Sequence, residues 1–193
     1  MNVYMTEEEQ VEQIKKLWKH YGNKIMTVIL VLVLTFTGFR WYQDSQLNLI
    51  TNASSSFNQM MDSAAKKDSV AVEAKANYIK TTFPSTIYAS SSALLLAKQQ
   101  VDLKKYEAAA SELNWVIKNT ASKSFKQLAL LRLARIYLYQ NKYQAALTLL
   151  DTIEEPLFTS MIHEIKGDIY LSQDQKPKAI TEYKLSLSQL PNS

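Results

Sequence analysis

Along the chain, apolar and polar positions change rhythm twice. Between Lys24 and Arg40 runs a stretch, Ile25 to Phe39, with no charge and no polar stripe; eleven of its fifteen residues are Ile, Leu, Val, Met or Phe, the rest being Thr27, Thr35, Thr37 and Gly38. As a helix it covers about 22 Å, short of a hydrocarbon layer of roughly 30 Å. The flanks make up the difference: Lys24 and Arg40 can run their stems outward, and Trp18, Tyr21, Trp41 and Tyr42 supply an aromatic belt at each interface. At about −0.4 kcal/mol per apolar residue, insertion is favoured by about 4–5 kcal/mol, enough to carry three Thr. A cleaved signal peptide would end in small residues, whereas this run leads into Phe39-Arg40-Trp41-Tyr42. A soluble core helix would show a polar stripe.

Beyond the run, helical periodicity takes over. Gln43 to Lys67 predicts a long helix with Leu47, Ile50, Phe57, Met60 and Met61 on its apolar side, free to continue from the membrane helix. A second, Val70 to Thr82, ends at Phe83-Pro84, because proline disfavours helix in its predecessor. Three stretches then align on a small residue followed twelve positions later by Ala: Ala97 with Ala109, Ala134 with Ala146, and Gly167 with Ala179. Small residues there let paired antiparallel helices approach closely. The copies are 37 and 33 residues apart, against about 34 for a tetratricopeptide repeat. Tyr170, Tyr183 and Pro191 fall on that repeat's aromatic and proline places in the third copy; Tyr137 and Leu150 stand on the aromatic places of the second. In the first, Gln100 stands where an aromatic belongs. The fold class predicted is all-α: a single N-terminal transmembrane helix followed by a tetratricopeptide-like α-solenoid. The expected organisation is a cytoplasmic segment 1–24, a membrane segment 25–42, and a domain 43–193 with atypical helices over 43–83 and repeats at about 88–120, 125–155 and 158–191.

Charge supplies direction. Lys15, Lys16, Lys19 and Lys24 precede the apolar run, and only Arg40 follows it until Lys66, so the positive-inside rule puts the N-terminus in the cytoplasm and the domain outside. Of 22 basic and 18 acidic residues, four Lys and four Glu lie in 1–24, which leaves the +4 total spread thinly and makes a nucleic-acid partner a poor fit.

Candidate chemistry is sparse. No Cys excludes thiolate metal sites and thiol nucleophiles, and three Gly leave no phosphate loop. His20 sits among lysines beside the membrane. His163-Glu164 has Gly167 where a zinc-protease helix needs its second His. The serine runs at 54–56 and 90–92 have no His placed as a base, Glu154-Glu155 precedes Pro156 in a turn, and Asn52-Ala53-Ser54 is a chance sequon. No catalytic, cofactor or metal site is expected. What remains is a groove lined by the first helix of each pair. Counted from the small residue, its candidates are Leu94, Lys98 and Val101, then Leu131, Arg135, Leu138 and Tyr139, then Glu164, Asp168 and Leu171. Lys98 and Arg135 are placed to hold carboxylates or backbone oxygens of a peptide.

The order of several stretches carries a resemblance. Glu9-Gln10-Val11-Glu12-Gln13-Ile14-Lys15 lies near the start and Gly38-Phe39-Arg40-Trp41-Tyr42 at the membrane exit, followed by Asp44-Ser45-Gln46. Leu131-Arg132-Leu133-Ala134-Arg135, Leu150-Asp151-Thr152-Ile153 and Gly167-Asp168 come later. Over nearly its whole length the chain resembles the ancillary SecYEG translocon subunit family of Gram-negative bacteria. The resemblance implies a bacterial inner-membrane protein with a periplasmic repeat domain, bound to the Sec translocon. It also implies a partnership with a membrane-anchored periplasmic peptidyl-prolyl isomerase, and a role in passing exported unfolded polypeptides to chaperones. Two alternatives are an envelope-stress signalling adaptor acting through the cytoplasmic segment and an anchored assembly factor for another envelope pathway. With Ser193 so soon after Pro191, a terminal capping helix is expected to be short or missing.

Overall fold

The structure, a computed structural model, describes residues 7–189, with side chains from Gln10 onward. Pro191, residues 1–6 and the side chains of Glu7, Glu8 and Glu9 lie outside the described residues. The fold is all-α, as the sequence predicts: α1 (Glu7–Ala65), α2 (Ser69–Thr82), α3 (Ile87–Asp102), α4 (Tyr106–Asn119), α5 (Lys123–Tyr139), α6 (Tyr143–Leu150), α7 (Thr159–Ser172) and α8 (Lys176–Ser188), with one 3₁₀ turn, Pro156–Phe158. The chain forms two compact units, residues 1–49 and residues 50–193.

In the first unit, α1 exposes its apolar run all round, from Ile25 at 44% to Phe36 at 63%. The most apolar window of the helix has a mean hydropathy of 1.7 and none of it is buried in the protein. The three threonines fit such a segment. Their hydroxyls donate to the carbonyls of Asn23, Val31 and Val33 one turn back, each at 2.8 Å, so no side-chain donor needs water.

In the second unit, successive helices pack as hairpins, α3 on α4, α5 on α6 and α7 on α8, while α3 also meets α5 and α5 meets α7. Within each hairpin the turn is the same. Lys104, Asn141 and Asp174 adopt left-handed φ of 56–58°, and the next N–H reaches back to Gln100, Tyr137 and Tyr170 at 2.8 Å, which closes the preceding helix with a Schellman-type bond. Each left-handed residue stands seven positions after the small residue of its copy. The close approach then follows. Ala97, Ala134 and Gly167 are buried at 2% or less or rank as buried, as are Ala109, Ala146 and Ala179. Their partners sixteen residues on are sized to match. Ala97 shares a core cluster with Leu113, and Ala134 with Leu150. Gly167 faces Tyr183, where an added methyl would lie 2.6 Å from Cδ1 and nearer still to Cε1.

A fourth turn of the same kind, between α1 and α2, precedes these three. Lys67 has φ of 59°, and the Asp68 N–H bonds back to Ser63 at 3.0 Å. Seven residues before Lys67 stands Met60, buried to 0%, and sixteen after Met60 stands Ala76, also 0%. Large and small residues thus stand in reverse order at these two positions, so this turn hides from a search for a small residue followed by Ala. Side-chain caps start several helices: Asp68, Thr86 and Ser122 accept from the N–H groups of Ala71, Ala89 and Phe125.

Candidate functional site

The hairpin turns and the small residues between helices bring α3 and α5 side by side with a hollow between them. Its volume is about 300 Å³. The apolar floor is formed by buried Ala97, Leu113 and Ile136. Around it stand three cations, Lys98 from α3 and Arg132 and Arg135 from α5, with Val101 and Tyr139 at one end. The Tyr139 ring, half exposed, lies 5.5 Å from that of Tyr106. Arg135 Nη2 lies 3.4 Å from Glu164 Oε1 and so reaches toward α7.

The structure therefore gathers Lys98, Val101, Arg135 and Tyr139 at one hollow, with Glu164 beside it through Arg135. It places the other candidates elsewhere. Leu94 and Leu131 are packed in the two core clusters and do not line the hollow. Leu138 is half buried against the α5–α7 cluster. Asp168 accepts the Tyr183 hydroxyl at 2.8 Å and so ties α7 to α8. Burial, then the hydrogen bond and charge of Asp168 together with Glu164, push the Tyr183 phenol up to about 12. Leu171 is exposed near the α7–α8 turn.

Arg132 is the charged lining residue that counting from the small position misses, along with the floor residues Ala97, Leu113 and Ile136. A readable signal exists: 132, 135, 136 and 139 form one helical stripe on α5, and 97, 98 and 101 form its counterpart on α3. The hollow faces about one residue away from the register counted from Ala97 and Ala134.

The interface candidates bracket the apolar run of α1. Trp18, Tyr21, Trp41 and Tyr42 are 46–74% exposed, Arg40 is exposed, and Lys24 Nζ lies 5.8 Å from the Tyr21 ring centroid. His20 stacks edge-on to Tyr21. His163 Nδ1 lies 2.6 Å from Glu182 Oε2, an α7–α8 tie. Exposed Glu154 pairs with Lys123 at 3.1 Å, and its N–H donates to buried Gln127. Gln100 is buried, and its Oε1 has no hydrogen-bond partner among the described residues.

Comparison with known proteins agrees with this architecture. Residues 15–193 match the family model of the tetratricopeptide repeat-like domain. The ancillary SecYEG translocon subunit of Neisseria gonorrhoeae is 27% identical over 192 residues, which cover 99% of this chain and 92% of that protein. The proteins of the same name from Escherichia coli and Buchnera aphidicola are 29% and 28% identical, over 93% and 86% of this chain and 86% and 84% of theirs. The chain belongs to the tetratricopeptide repeat-like domain family, and along nearly its whole length it is similar to proteins named ancillary SecYEG translocon subunits.

Proposed function

We propose that this protein is a non-enzymatic adaptor of the Sec translocon in the bacterial inner membrane. Residues 25–42 cross the membrane once, residues 1–24 face the cytoplasm, and the repeat domain 43–193 lies in the periplasm. There its groove holds exported polypeptides or a membrane-anchored peptidyl-prolyl isomerase. The observation that carries this reading is the end-to-end match to proteins named as ancillary SecYEG translocon subunits. The exposed apolar run, its internally bonded threonines and its aromatic flanks support the anchor. The Lys excess before the run supports the direction. Open hollows between the first helices of a repeat array suit a binding module. Tethering makes weak groove contacts effective, because two anchored partners meet at effective concentrations up to about millimolar.

Purification of the full chain from detergent-solubilised membranes is expected to recover SecYEG subunits. Lys98→Glu combined with Arg135→Glu is expected to reduce capture of the periplasmic partner while translocon recovery stays unchanged. Absence of SecYEG from the purified complex refutes the reading, as does a domain that protease cannot reach in intact spheroplasts.

A further inference from the structure

We infer that the hollow between α3 and α5 takes an apolar side chain flanked by Asp or Glu, so that the segments this protein holds are acidic-flanked apolar stretches of polypeptide. The inference rests on the adaptor reading and gives its ligand a chemistry.

The floor of Ala97, Leu113 and Ile136 is almost wholly shielded from solvent, and a volume of about 300 Å³ admits one or two large side chains. Only cations carry charge in the lining: Lys98, Arg132 and Arg135. Gathering three like charges at one apolar hollow is unfavourable in itself, and nearby low-dielectric surface strengthens their repulsion. Local neutralisation is slight. Arg135 has a half-exposed partner in Glu164 at 3.4 Å, while Lys98 and Arg132 form no ion pair with the described residues. Overall composition does not explain the cluster, since the protein as a whole carries 22 basic and 18 acidic residues. A ligand carboxylate relieves the repulsion, and two guanidiniums offer it paired N–H donors. A lysine-flanked segment meets the same three cations and is repelled.

The test uses the full chain in uncharged detergent micelles and fluorescence anisotropy. The probes are three short peptides with blocked termini and a common central Leu-Phe pair, flanked by Glu, by Gln or by Lys. Blocked termini confine the comparison to side-chain carboxylates. The Glu peptide is expected to bind about tenfold tighter than the Gln peptide, and the Lys peptide more weakly than either. Arg132→Gln with Lys98→Gln is expected to bring the ratio of Glu-peptide to Gln-peptide affinity from about ten to about one. Both residues are exposed, so the unfolding midpoint of this variant is expected to match the parent and serves as the control for folding. Equal binding of the Glu and Gln peptides, no binding of any of the three, or a Glu advantage that survives the double substitution overturns the inference. None of these outcomes touches SecYEG recovery, whose loss refutes the adaptor reading instead.

Discussion

Adding one methyl group to Gly167 sets two known effects against each other. In an open helix, alanine in place of glycine stabilises by about 1 kcal/mol. Here the new Cβ meets the Tyr183 ring at 2.6 Å or less, well inside contact distance. Tyr183 is held in place by its hydrogen bond to Asp168, so the ring cannot yield without breaking that bond. Overpacking costs about 1–3 kcal/mol and the lost bond to a carboxylate about 1.5 kcal/mol. The expected net change for Gly167→Ala is therefore a destabilisation of about 2 kcal/mol, or roughly 4–8 °C in the unfolding midpoint of a domain this size. Thermal unfolding of the full chain in detergent, followed by circular dichroism, measures it. The pairing rule supplies a sharper check. Gly167→Ala with Tyr183→Leu recreates the Ala97–Leu113 and Ala134–Leu150 pairs of the other hairpins, so the double variant is expected to be more stable than the sum of the singles by at least about 1 kcal/mol. Additivity within about 0.5 kcal/mol, or a raised midpoint for Gly167→Ala alone, refutes the close-packing account.

Two further outcomes follow from contacts within the repeat domain. Lys80 and Glu112 pair at 2.6 Å with side chains only 10% and 16% exposed, so Lys80→Met strands a mostly buried carboxylate and is expected to cost about 3 kcal/mol by urea unfolding, whereas Lys80→Met with Glu112→Leu is expected to recover most of that loss. Tyr183 has its folded pKa raised from 10.0 to about 12, so its neutral form contributes stability that is complete below pH 10 and disappears as pH rises toward 12. Tyr183→Phe is expected to be about 1 kcal/mol less stable than the parent at neutral pH, and the gap to close between about pH 10 and 12 in unfolding curves taken across that window.

Much of the architecture is legible in linear order because it depends on local rules. An uncharged apolar run bounded by Lys24 and Arg40 specifies an exposed apolar helix whatever surrounds it. Glycine and alanine at a fixed spacing report close helix pairs, since only small residues allow that approach. The turn at Lys67 escaped because a large residue, Met60, stands seven positions before it where the other copies carry Ala or Gly. Lys104, Asn141 and Asp174 occupy a left-handed position that glycine favours, so glycine content alone gives no sign of these turns.

By itself, then, the sequence determined the anchor-like run, the helical class, the three recognisable hairpins and the presence of Lys98 and Arg135 on first helices. Only the tertiary structure decided which of those side chains share a surface. A helix rotates 100° per residue, so an error of one position in register exchanges a lining residue for a core residue. That register was set by how α3 and α5 pack on α4. It turned Leu94 and Leu131 inward, left Asp168 engaged by Tyr183, and brought Arg132 to the hollow beside Lys98 and Arg135.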